Sequence, residues 1–108
     1  MKKYKLIMTG EFEDNFKRFI PRNLKEQAEK KIKSLEVNPF RGKIVSYKFL
    51  RELKIDKFRI YYLIYKDIIT ILLVGVSDKK TQQTMIDKIK QERKELLLKI
   101  KNFKKYLK

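Results

Sequence analysis

The side chains able to do chemistry in this sequence are cations, carboxylates and phenols, and they crowd between Leu50 and Tyr62. Arg51, Lys54, Lys57 and Arg59 are expected close together around one sheet turn, where their fields add over one face. Glu52 stands among them, to orient Arg51 or to pair with Arg59, an ordinary cross-strand ion pair being the plainer reading. Cys and His are both absent. That removes disulfides, thiol nucleophiles, Cys/His zinc sites, Ser-His-Asp triads and imidazole acid–base catalysis. The chemistry open to such a set is the handling of a phosphodiester. Cleaving RNA without a metal requires a base for the 2′-hydroxyl, a cation for the crowded phosphate and an acid for the 5′-oxygen. Arg suits the phosphate because its planar fork donates two hydrogen bonds to one phosphoryl group. Lys serves as base only where neighbouring cations depress its pKa. The plain alternative is a set of solvated charges that keep a sheet edge from aggregating. That alternative comes first for Lys57, which is carried as a nucleic-acid-binding cation rather than a catalytic one. No metal and no small-molecule cofactor are expected.

The whole composition points the same way. The 108 residues suit one domain, 1–108, and contain 29 Lys and Arg against 13 Asp and Glu, a formal charge of +16. Such an excess argues for a polyanionic partner: RNA, DNA, a ribosome, an anionic membrane or an acidic protein. Apolar residues at 43% allow a modest core. The longest apolar run, Ile68 to Val76, is far short of the about 20 residues that span a bilayer. The N-terminal apolar stretch soon meets acids, unlike an export signal. A cytoplasmic location without a membrane partner is expected.

The elements that must hold these residues follow from periodicity. Lys3–Met8 reads as a short strand, and Thr9-Gly10 ends it. Phe12, Phe16 and Phe19 recur at i, i+4 and i+7 and place three rings on one helical face. Pro21 stops that helix and opens the next, where Leu24, Ala28, Ile32 and Leu35 form the apolar stripe. Asn38-Pro39 and Gly42 end the helical hairpin. Three strands follow: Ile44–Phe49 running or bending into Leu50–Ile55, then Phe58–Tyr65, then Ile68–Val76 after a two-residue turn at Lys66-Asp67. The last run is apolar on both parities and is expected to be a central strand covered on both faces. A C-terminal helical extension, 81–108, carries Met85, Ile86, Ile89, Leu96, Leu97 and Ile100, broken near Lys90–Glu95 by a kink or a second helix. The fold class expected is α+β: an N-terminal strand, a two-helix hairpin, a three-stranded antiparallel sheet and a C-terminal helix. The apolar part of the extension, residues 85–97, is expected to pack back over the sheet. Beyond it the bases interleave with Phe103 and Tyr106, and Lys104 and Lys105 are candidates for RNA contact or for masking by a partner.

The stretch from Leu50 to Tyr62, with Leu50-Arg51-Glu52-Leu53 and Phe58-Arg59-Ile60-Tyr61-Tyr62, resembles the signature of the RelE/ParE toxin superfamily of type II toxin–antitoxin systems. The turn Asn38-Pro39-Phe40-Arg41-Gly42 and the close at Val74-Gly75-Val76 are similar too. The resemblance covers roughly residues 3–85. It implies a cognate antitoxin as partner. It further implies either a RelE-like endoribonuclease that acts on mRNA at the ribosome, or a cleavage-deficient or ParE-like member that binds DNA gyrase or the ribosome. Carried residue by residue, the family pattern places its arginine on Arg59, a strand lysine near Lys54, and a basic residue after the last strand on Lys79, with Lys80 adjacent. The family's catalytic aromatic falls on Met85, which can neither donate a proton nor stack as Tyr does. Tyr61 and Tyr62 read as buried aromatics with satisfied hydroxyls. The catalytic set expected is Arg59, Lys54, Arg51 and Lys79, with Lys57, Lys80, Lys104 and Lys105 as RNA-binding residues.

Overall fold

Thr9 both ends the first strand and starts the first helix, because its hydroxyl accepts a hydrogen bond from the Phe12 amide at 3.0 Å. A computed structural model describes the backbone of residues 3–106 and the side chains of residues 3–98 and 100. The element order is β1 (Lys5–Met8), α1 (Gly10–Phe19), α2 (Arg22–Ser34), β2 (Lys43–Val45), β3 (Tyr47–Ile55), β4 (Phe58–Tyr65), β5 (Thr70–Asp78), α3 (Gln82–Gln91) and α4 (Arg93–Tyr106). The strands form one sheet in the order β1-β5-β4-β3-β2. β1 runs parallel to β5, and every other neighbouring pair is antiparallel.

Two apolar layers sandwich the sheet. On one face, Phe12, Ile20, Ala28 and Leu35 of the helical hairpin pack against Leu53, Ile55, Ile60, Tyr62, Ile71 and Val76. On the other, Ile86, Ile89, Leu96 and Ile100 of α3 and α4 cover Leu50, Tyr61, Leu63, Leu72 and Val74. The C-terminal stripe therefore completes the core, and a break at Glu92 divides it into two helices. β5 is buried along nearly its whole length, as its unbroken apolar run requires.

Three local expectations need correction. Phe19 is 49% exposed rather than core, because α1 ends there and Ile20 turns inward in its place. The strand expected from Ile44 to Phe49 is divided at Ser46, whose positive φ of 71° separates β2 from β3. Lys66-Asp67 is part of a three-residue 3-10 turn, Lys66–Ile68, which closes through Ile69 at a φ of 48°. Among the described residues, no helix is long and apolar enough to cross a membrane.

Candidate functional site

The β3–β4 hairpin turns at Asp56-Lys57, with Asp56 in the left-handed region at a φ of 55°. Asp tolerates that conformation better than most residues do. The turn sets the register Lys54↔Arg59 and Glu52↔Tyr61, and β5 adds Arg59↔Ser77. Side chains alternate along a strand, so Glu52, Lys54, Arg59, Tyr61 and Ser77 share one sheet face. α3 and α4 cover the middle of that face and leave its hairpin-turn end as a cleft. Its walls are Arg41, Lys43, Glu52, Lys54 and Arg59, around a volume of about 350 Å³. Four cations face one carboxylate there, and the cleft keeps a positive balance.

Arg59 lines this cleft but is largely buried. Its side chain is 13% exposed, beside the equally buried Glu52, with Nε 4.0 Å from a Glu52 carboxylate oxygen. Nη1 donates to the Lys57 carbonyl at 3.2 Å. The Nε–H is buried and meets no acceptor within hydrogen-bond reach among the described residues. The Glu52 carboxylate offsets part of the cost of that burial through its charge, without a hydrogen bond. The same Glu52 oxygen accepts from Gln82 Nε2 at 2.9 Å, from the first residue of α3. Of the two pairings open to Glu52, the one with Arg59 forms.

Arg51 is not brought into the cleft. One residue from Glu52, it projects from the opposite side of β3, as its β4 partner Tyr62 does. Its Nη1 donates to the carbonyls of Phe40 at 3.0 Å and Gly42 at 2.9 Å, and its guanidinium lies 5.0 Å from the centre of the Phe40 ring. Arg51 thus pins the 38–42 loop that forms the cleft's Arg41–Lys43 wall. Tyr62 helps from below: its hydroxyl donates to the Pro39 carbonyl at 2.8 Å and accepts from the Gly42 amide at 2.9 Å. Gly42 has no room for a side chain, since a Cβ would lie 2.6 Å from both the Glu52 carbonyl oxygen and the Tyr62 hydroxyl.

The remaining expected residues divide by position. Lys54 lies in the cleft wall with an exposed side chain. Lys57 is exposed on the hairpin turn, its ammonium 5.5 Å from the Phe58 ring centre. Lys79 and Lys80 are exposed just beyond Ser77, between β5 and the α3 residue that holds Glu52. That turn is pinned by Asp78, whose carboxylate accepts from the Thr81 amide and hydroxyl at 3.0 Å each. Those bonds hold the Asp78 carboxyl below its usual pKa. The side chains of Lys104 and Lys105 lie outside the described residues. Tyr61, on the cleft face, is buried with its hydroxyl 2.8 Å from Ser77 Oγ. Burial chiefly pushes both the Tyr61 and Tyr62 phenols above their usual pKa. Met85 packs on Gly75, where a Cβ would come within 2.6 Å of its sulfur. Arg41, Lys43 and Gln82 escaped the sequence reading. Arg41 and Lys43 could have been found only by knowing that a loop and a short edge strand fold against Glu52.

Residues 6–82 match the family model described as the ParE toxin of type II toxin–antitoxin systems. No curated protein sequence gave a significant match. Among solved structures, a mutant of the Escherichia coli toxin RelE in the free state is similar with a TM-score of 0.65 and 14% identity, over 81% of this chain and 98% of that one. A RelBE toxin–antitoxin complex of Mycobacterium tuberculosis gives 0.59 and 21%, over 73% and 94%. The archaeal RelE–RelB complex of Pyrococcus horikoshii gives 0.62 and 12%, over 71% and 96%.

Proposed function

The chain belongs to the ParE-toxin family of the RelE/ParE superfamily, and on that premise we propose that it is a RelE-like toxin that grips RNA at the Glu52–Arg59 cleft and cleaves it on the ribosome. The observation that carries this reading is the cleft of four cations, Arg41, Lys43, Lys54 and Arg59, around the single carboxylate of Glu52, which is ion-paired with Arg59. The parts of a metal-free phosphodiester cleavage then have holders. Arg59 binds the phosphate, with Lys43 and Arg41 along the strand's path. Glu52 accepts the 2′-hydroxyl proton as the 2′-oxygen bonds to phosphorus. The bond from phosphorus to the 5′-oxygen breaks, and that oxygen takes its proton from Lys54 or Lys79. The products are a 2′,3′-cyclic phosphate and a 5′-hydroxyl. Arg51 acts through the loop it pins rather than on the phosphate, while Lys57 and Lys80 extend the cationic rim. An ammonium is a weak acid, so positioning of the message by the ribosome has to supply much of the rate. The partner is a cognate antitoxin, as in the RelE–RelB complexes that the chain resembles.

A second reading, binding of gyrase or the ribosome without cleavage, is favoured by two observations. Met85 sits on Gly75 where the resemblance places a catalytic aromatic, and the Tyr61 and Tyr62 hydroxyls are both engaged. Expression with primer extension on cellular mRNA separates the two. Growth arrest with discrete cuts, both lost in Arg59→Ala, supports cleavage. Arrest with intact messages supports binding alone. Neither arrest nor cuts, from a soluble folded chain without antitoxin, refutes both.

A further inference from the structure

At the open end of the β3–β4 hairpin, opposite the Asp56-Lys57 turn, lies a second concavity of about 330 Å³. Tyr47, Phe49 and Tyr65 supply its aromatic walls, and Lys66, Asp67 and Arg93 its polar ones. Its volume falls at the small end of ligand pockets, the scale of one planar ring system with its sugar. The Arg93 guanidinium lies 4.4 Å from the centre of the Tyr47 ring, a stacked pair of flat groups at the start of α4. Among the described residues no acceptor takes the Arg93 donors, and its side chain is exposed. The Tyr65 hydroxyl is buried and has no hydrogen-bond partner among the described residues. An orphaned phenol is a cost that a native core rarely carries without reason. Burial, with Tyr47 beside it, raises the Tyr65 phenol to about 12, so it stays a donor at neutral pH.

We infer that this concavity is a nucleobase pocket, which takes one unpaired base against the Tyr47 and Arg93 planes with the Tyr65 hydroxyl donating to the base edge. Aromatic faces that accept any base, with an arginine over them, are how single strands are held apart from their phosphates. From Arg59 to Tyr65 the strand covers about 20 Å at about 3.3 Å per residue. Lys43 and Lys48 stand exposed on the strands between them, so a single strand gripped at the cleft has a cationic route to the pocket. That the base belongs to the toxin's RNA rests on the reading above; the pocket itself does not.

The test uses the full chain with isotope-labelled tyrosine rings, titrated with adenosine 5′-monophosphate and, separately, with ribose 5-phosphate. The nucleotide is expected to shift the Tyr47 and Tyr65 ring signals, and ribose 5-phosphate is not. Arg93→Ala, at an exposed position, is expected to weaken the nucleotide about tenfold, and Tyr65→Phe to weaken it while keeping the fold. Arg59→Ala is expected to leave this titration unchanged, so a failure of the cleft does not hide the pocket. Ring signals that stay put at about 10 mM nucleotide, or that answer equally to ribose 5-phosphate, overturn the inference.

Discussion

Replacing Tyr62 with Phe removes one oxygen from a fully buried ring and leaves everything else in place. That oxygen serves two backbone groups of the loop that walls the cleft, the Pro39 carbonyl at 2.8 Å and the Gly42 amide at 2.9 Å. Each buried group left unpaired costs about 1–3 kcal/mol. Water reaching the loop trims the pair to about 2–4 kcal/mol, a large share of the about 5–15 kcal/mol that holds a domain together. At about 4–8 °C per kcal/mol the melting temperature falls by roughly 8–32 °C. Urea unfolding should show the midpoint lowered with the slope unchanged. Hydrogen exchange should show the Gly42 amide losing its protection. Tyr61→Phe is the control: its hydroxyl faces only Ser77 Oγ, which can turn to another acceptor, so about 1 kcal/mol is expected. Equal costs for the two variants, or a Gly42 amide still protected in Tyr62→Phe, would refute the assignment of the loop to this hydroxyl.

Glu52→Gln keeps an oxygen for Gln82 and removes the charge; RNA affinity by anisotropy should hold or rise while mRNA cuts vanish, and cutting at the native rate would exclude Glu52 as base. Gly75→Ala should cost about 1–3 kcal/mol by displacing Met85, whose flexible sulfur end gives way rather than the backbone; a neutral result by thermal melting means that Met85 is not seated there. The Tyr65 phenol is raised from 10.0 to about 12, so its contribution is whole below pH 10 and is lost as pH climbs through 12, where the folded form ionises. Urea midpoints taken between about pH 9 and 11 should fall more steeply in the native chain than in Tyr65→Phe, and parallel curves would show that Tyr65 is not the group.

The sheet's centre was legible because β5 is apolar on both parities, and the helical hairpin because Ala28 and Leu35 recur at helical spacing around a Pro21 stop. Arg59 and Lys54 were singled out by the clustering of cations and by the family resemblance, and the two-residue turn makes them register partners on one face. Arg51 was misplaced although strand alternation alone separates it from Lys54, an odd number of residues away. The division of β2 from β3 had no signal, since Ser46 adopts a positive φ without the glycine that usually announces one. Arg41 and Lys43 reach the cleft by tertiary contact across the sheet edge, which local spacing does not encode.

Parallel pairing of β1 has a consequence for how the molecule assembles. Lys5 aligns with Thr70 and Met8 with Leu73, so β1 has no place to lie until residues 70–73 have been synthesised. The β3–β4 and β4–β5 hairpins close over short loops, whereas this seam must close a long one, and its entropy makes it a late step. A nascent chain stopped before residue 70 therefore holds a cation-bearing hairpin but no finished sheet, and its first strand stays available to any other edge that offers hydrogen bonds.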